Sequence, residues 1–140
     1  MDSYVGIKVV LAEPMMLVNA EALIGRNIKP GNEDGYLVEY EDGYKSWSPK
    51  EAFEKAYHRT EGMPFGHAIQ AMKDGHKVAR RGWNGKGLWL EIQKPDEHSK
   101  MTLPYIYLNY LPTVQYPTGA RVPWLASQTD MLCEDWYIVH

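Results

Sequence analysis

The sequence predicts an α+β fold in two small pieces, the second an N-terminal helix packed on an antiparallel β-sheet. Three observations carry this. Phe65, Ala68, Ile69 and Met72 recur at the spacing of one helical face. Short alternating runs recur along the chain, and Asp42-Gly43 and Asn84-Gly85 stand between such runs as hairpin turns. The charge balance also changes near Thr60–Pro64. Residues 1–60 hold ten acids and seven bases and residues 61–140 hold eight of each, so the net charge of -3 belongs to the first piece. The pieces are a small α+β module over 1–60 and a second domain over 63–140.

In the first piece, Val5–Leu11 reads as extended chain. Pro14 opens a short helix through about Ala22, and Gly25 and Asn27 stand where it stops. Residues 29–35 are a loop by composition. Tyr36–Tyr40 alternates as a strand, and Glu41-Asp42-Gly43 turns it into Tyr44–Trp47. Ser48 is expected to cap a helix with Pro49 first inside it and Glu51 three residues on, running to about His58.

The second piece begins with a helix from Pro64 to about Asp74, ended by Gly75. Lys77–Arg81 and Leu88–Ile92 follow as strands around a turn at Trp83–Lys86. Leu88, Leu90 and Ile92 share one face; Trp89 and Glu91 share the other. Tyr105–Tyr110 is a strand between prolines. Ser127 caps a short turn or helix with Asp130 three residues on, and Trp136–Val139 closes as a strand.

Composition narrows the function classes. A hydrophobic share of 44% and a net charge of -3 fit a globular protein and disfavour a polyanion or a general nucleic-acid binder. A single cysteine, Cys133, builds no disulfide framework, which suits a reducing cytoplasm. No basic-then-apolar leader is visible, and no apolar run is long enough for a bilayer, so no membrane contact is expected.

Enzyme signals are absent. His58, His67, His76, His98 and His140 are scattered without metal-ligand spacing, so neither a metal nor a cofactor is expected. Gly82–Gly87 contains Gly-Lys but lacks the remaining features of a phosphate-binding loop. Asp96-Glu97 and Glu134-Asp135 are adjacent pairs, which on a strand face opposite ways. A catalytic role is therefore not expected.

Two stretches suit ligand binding. Lys77, Arg80, Arg81 and Lys86 flank Trp83 and Asn84, a combination of cations and a stacking ring suited to a small anionic nucleotide. A solvated edge hairpin is the plainer account of the same residues. After Trp124, the side chains of Ser127, Gln128, Thr129 and Asp130 either meet ribose hydroxyls and a base edge or serve their own capped turn.

Two motifs here resemble the Thoeris anti-defence 2 family of phage proteins. The first is Phe65-Gly66-His67-Ala68-Ile69-Gln70-Ala71-Met72-Lys73-Asp74-Gly75-His76-Lys77-Val78-Ala79-Arg80-Arg81-Gly82-Trp83-Asn84-Gly85-Lys86-Gly87. The second is Val122-Pro123-Trp124-Leu125-Ala126-Ser127-Gln128-Thr129-Asp130-Met131-Leu132, then Glu134-Asp135-Trp136. Met63 falls where the family's domain often starts, behind an extra piece. Within that piece Gly35–Lys50 resembles a small module of phage-encoded proteins.

The resemblance implies a small α+β domain that forms homo-oligomers, tetramers built as dimers of dimers. It implies binding of glycocyclic ADP-ribose, the signal made by Toll/interleukin-receptor-type enzymes of Thoeris defence, in the cytoplasm of the bacterial host. The ligand is held without cleavage, so the effector is never activated. Some members also bind cyclic dinucleotides or related cyclic oligonucleotides at a separate site. The pocket lies near protomer interfaces and uses aromatic stacking. That role carries over first to Trp83 and Trp124, then to Phe65, Arg81, Asn84, Ser127, Gln128, Thr129 and Asp130. The alternative is a protein-interaction or virion-associated adaptor.

Overall fold

The computed structural model describes residues 1–140 except 84 and 86. It divides into two compact units, Met1–His58 and Arg59–His140. The division falls just before the seam read from charge. Thr60 and Met63 belong to the second unit because both bond to its last strand: the Ile138 N–H donates to Thr60 O at 3.1 Å and the Met63 N–H to Trp136 O at 2.7 Å. Both units are α+β, with antiparallel sheets throughout the described pairings.

The first unit runs β1 (Leu11–Pro14), α1 (Leu17–Ile24), β2 (Gly35–Glu39), β3 (Lys45–Pro49) and α2 (Lys50–Ala56). Its sheet order is β1-β2-β3. Leu17 and Ala20 of α1 are fully buried against Leu37 and Trp47. Gly25 ends α1 in the left-handed region at φ 84°. The Asp42-Gly43 hairpin forms as expected, with Tyr36↔Ser48 and Glu39↔Lys45 in register.

Two expectations fail here for one reason: strand pairing decides where an element starts. Of the extended run Val5–Leu11 only Leu11 enters a strand, since β2 ends at Glu39 and Leu11 is its partner. Pro14 consequently closes a strand instead of opening a helix. Ser48 is likewise held in the ladder opposite Tyr36, so Pro49 becomes the helix cap and no side chain caps α2.

The second unit runs α3 (Phe65–Lys73), β4 (Lys77–Arg80), β5 (Trp89–Gln93), β6 (Tyr105–Tyr110), β7 (Ala120–Pro123), α4 (Gln128–Leu132) and β8 (Trp136–Val139). Sheet order is β7-β6-β5-β4-β8. The predicted helical face lies on the sheet: Ala68, Ala71 and Met72 are buried with Met63, Val78, Leu90 and Trp136, and Phe65 and Ile69 pack beside them. Alanine at 68, with no exposed area, lets the helix backbone come close to the strands. Leu90 and Ile92 face this core, while Trp89 and Glu91 bond to each other on the opposite face.

The β4–β5 connection is longer than a two-residue hairpin turn. Its strands end at Arg80 and begin at Trp89 and share the single described pair Val78↔Leu90. The expected turn at Asn84-Gly85 lies partly outside the described residues. The ladder stops because Trp83 joins the core cluster and the Gly82 N–H donates to the Asp135 carboxylate at 2.8 Å.

Trp136 is the largest fully buried side chain. Trp136→Ala is expected to lower the stability of the second unit by about 3–5 kcal/mol, the usual cost of so large a cavity. Chemical denaturation followed by circular dichroism checks this; a loss below about 1 kcal/mol would mean that the site collapses to fill the space.

Candidate functional site

Strand alternation splits the basic cluster of the sequence. Val78 and Arg80 face α3 and α4, whereas Lys77 and Arg81 belong to the other face. The Lys77 ammonium lies 5.2 Å from the Trp89 ring centroid, and the Arg81 guanidinium lies 4.9 Å from that of Tyr137. Arg81 is exposed and also donates to Glu61 O at 3.3 Å. These cations therefore form no single phosphate cradle. Lys86 lies outside the described residues.

Arg80 is instead committed inward, with its side chain only 8% exposed. Nη1 donates to Asp130 Oδ1 at 2.7 Å; Nε and Nη2 donate to the two oxygens of Asp135 at 2.8 and 3.3 Å. The planar fork matches the Asp135 carboxylate, as guanidinium–carboxylate pairs do. The hydrogen bond that Arg80 donates to Asp135 is the main cause that raises the Arg80 pKa further, against the cost of burial. In turn Arg80 holds the Asp135 carboxyl below the usual carboxylate range.

Asp130 collects four donors. Burial alone would raise its pKa, but the Ser127 N–H, the Trp83 indole and Arg80 outweigh that and hold it at about 2. The Trp83 Nε1–H donates to Oδ1 at 3.1 Å and the Ser127 N–H to Oδ2 at 2.9 Å. The Ser127 hydroxyl accepts the Asp130 N–H at 3.0 Å, completing the capping box of α4. The Trp136 indole donates to the main-chain oxygen of Asp130 at 2.9 Å.

Above this polar knot stand four rings. Phe65, Trp83 and Trp124 are half-buried and Trp136 is buried. Centroids lie 6.0 Å apart for Phe65–Trp124, 5.5 Å for Trp83–Trp136 and 6.3 Å for Trp83–Trp124. Trp83 and Trp124 are tilted 59° to one another. They pack on each other at the usual ring–ring distance. A base would stack on the outer surface of this cluster, because tilted rings this close leave no parallel slot between them.

Thus Phe65, Trp83, Trp124 and Asp130 come together. Ser127 serves its own helix. Gln128 and Thr129 are exposed in the first turn of α4, beside but outside the ion pairs. Asn84 lies outside the described residues. Sequence reasoning passed over Asp135 and Trp136 as site residues, and grouped Arg80 with the cations suited to an anionic ligand, whereas it is bound to Asp130 and Asp135. The alternation of Lys77–Arg81 was the available signal: it sends Arg80 alone to the helix side.

A second polar group lies on the opposite sheet face. Glu91 Oε2 accepts from Trp89 Nε1 at 3.0 Å, Asn109 Nδ2 at 2.9 Å and the Tyr107 hydroxyl at 3.2 Å. Burial, then the Glu91 charge, push the Tyr107 phenol up. In the first unit an open cleft of about 630 Å³ is lined by Lys8, Val9, Tyr40, Glu41, Asp42 and Tyr44, and contains no residue of either motif. Lys8 already occupies one of its rings, at 4.5 Å from the Tyr40 centroid.

The family model of the Thoeris anti-defence 2-like domain matches residues 63–139, the span that builds the ring cluster and the Arg80 knot. The chain belongs to this family. Thoeris anti-defence 2 of Bacillus phage SP01 is 36% identical to it over 87 residues, covering 55% of this chain and 94% of that protein. The chain is therefore a phage anti-defence protein, a role exercised in the infected host cell. Among the described residues no helix is long and apolar enough to cross a membrane, and no group of His, Cys, Asp and Glu is placed to hold a metal.

The depressed Asp130 and Asp135 give a pH prediction. Their folded-state pKa values lie below those of the unfolded chain, so their stabilisation is complete above about pH 4 and fades as pH falls through the folded value of about 2 for Asp130. Acid titration of Asp130→Asn should show a shallower loss between pH 4 and 2 than the unaltered chain. Identical slopes would remove Asp130 as a contributor.

Proposed function

We propose that this protein sequesters a cyclic nucleotide-derived immune signal, glycocyclic ADP-ribose in the first instance, without cleaving it. The observation that carries the reading is the meeting of the two family motifs in one aromatic site. Trp83 comes from the first and Trp124 from the second, and both are half-buried beside Phe65. Half-buried indoles give a purine a stacking surface worth about 1–3 kcal/mol per base.

A trap without catalysis fits the ionisable groups of the site. Asp130, held at about 2, is a poor general base at neutral pH, and Arg80 is fully engaged by two carboxylates. Sequestration needs nanomolar affinity, about -12 kcal/mol. A rigid ligand of about 35 heavy atoms reaches roughly -10 kcal/mol at ordinary efficiency, so an enclosed pocket is required. An interface between copies supplies one, and the working state in this reading is a homo-oligomer, a dimer of dimers. Cyclic dinucleotides or oligonucleotides are further ligands of the same class, held at a separate site.

Incubation with glycocyclic ADP-ribose followed by heat denaturation should return the intact ligand. Recovery of a cleaved product would make the protein an enzyme instead. In calorimetry, Trp83→Ala should weaken binding by about 1–3 kcal/mol, the stacking contribution. Unchanged affinity would remove Trp83 from the site. Capture of a host or virion protein by the full chain, with no nucleotide bound, would favour the adaptor reading.

A further inference from the structure

Trp83 carries a constraint that stacking alone does not require. Its indole Nε1–H points at Asp130 Oδ1, 3.1 Å away, on the oxygen that also receives Arg80 Nη1 at 2.7 Å. Asp130 is itself held on several sides. It is 7% exposed, its second oxygen accepts the Ser127 N–H, and its main-chain oxygen accepts the Trp136 indole. The backbone before Trp83 is tied down separately, with the Trp83 N–H on Arg80 O at 3.4 Å and the Gly82 N–H on Asp135 Oδ2 at 2.8 Å.

From this geometry we infer that Asp130 is a positioning residue, fixing the plane of the Trp83 ring through the indole N–H while Arg80 holds the carboxylate in place. The inference rests on the reading of Trp83 as a ligand-stacking ring. Without that bond a half-buried indole on a turn samples more than one rotamer, and ordering one side chain on binding lowers affinity by roughly two- to tenfold. A tether to an ionised acceptor removes most of that cost before the ligand arrives. Hydrogen bonds to charged acceptors are also the stronger kind.

Trp83→Phe keeps a stacking ring and leaves Arg80, Asp130 and Asp135 intact, but removes the N–H. Trp83→Phe should therefore lose up to about tenfold in affinity for glycocyclic ADP-ribose, the ordering cost that the tether had removed, while its thermal midpoint stays within a few degrees. The indole N–H resonances give a readout that does not depend on ligand. The resonance lost in Trp83→Phe identifies Trp83, and in Asp130→Asn that resonance should move and exchange faster with water. The Trp136 resonance should stay, since its acceptor is a main-chain oxygen.

A Trp83 resonance that does not move in Asp130→Asn overturns the inference. So does unaltered affinity of Trp83→Phe where Trp83→Ala binds weakly, a result that keeps the stacking role and rejects the tether. Unaltered affinity of both variants rejects the stacking role, and the inference with it. If Asp130→Asn moves both resonances, α4 has been displaced, and the comparison of Trp83→Phe with the unaltered chain decides alone.

Discussion

The Arg80 guanidinium holds together elements that the chain brings from far apart. It sits at the end of β4 and reaches Asp130 in α4 and Asp135 ahead of β8, positions 50 and 55 residues away. Removing either carboxylate leaves a nearly buried cation short of a partner, and such a loss costs far more than the intact pair contributes. The docking of α4 that meets these donors also brings Trp124 and Trp136 to Trp83.

In the proposed reading, function and fold share one set of contacts in the second unit. Trp136 seals the core against α3 and also presents its ring to Phe65, Trp83 and Trp124. The site is the upper rim of the core, built of the same rings. That explains why its polar members are structural and its candidate ligand-facing members are aromatic. The carboxylates are consumed by Arg80, leaving ring surfaces and the exposed first turn of α4 to meet a partner.

Much of the fold was legible because it is local. The Phe65–Met72 periodicity, the Asp42-Gly43 turn and the Ser127–Asp130 box each depend on residues within one or two turns of chain, and each appears as the sequence predicts. The errors came where a distant partner decides. β1 begins at Leu11 because β2 ends at Glu39, and Ser48 stays in a strand because Tyr36 pairs with it. In the site, Trp83, Trp124 and Phe65 could be singled out through their motifs, but not the fate of the charges. Lys77, Arg80 and Arg81 look alike in one dimension. Which of them turns inward depends on strand phase, and Asp135, set aside as one of an adjacent acidic pair, is identified as its partner only by the folded sheet.

Gly82 shows what this packing demands of inheritance. A Cβ there would stand 2.7 Å from Asp135 Oδ2 and 3.1 Å from Arg80 Nη2, and that carboxylate cannot swing away while the guanidinium grips it. Every missense change of a glycine codon introduces a Cβ. Any such change therefore reaches the ion pair itself, because the new carbon can be housed only by moving Asp135 or Arg80.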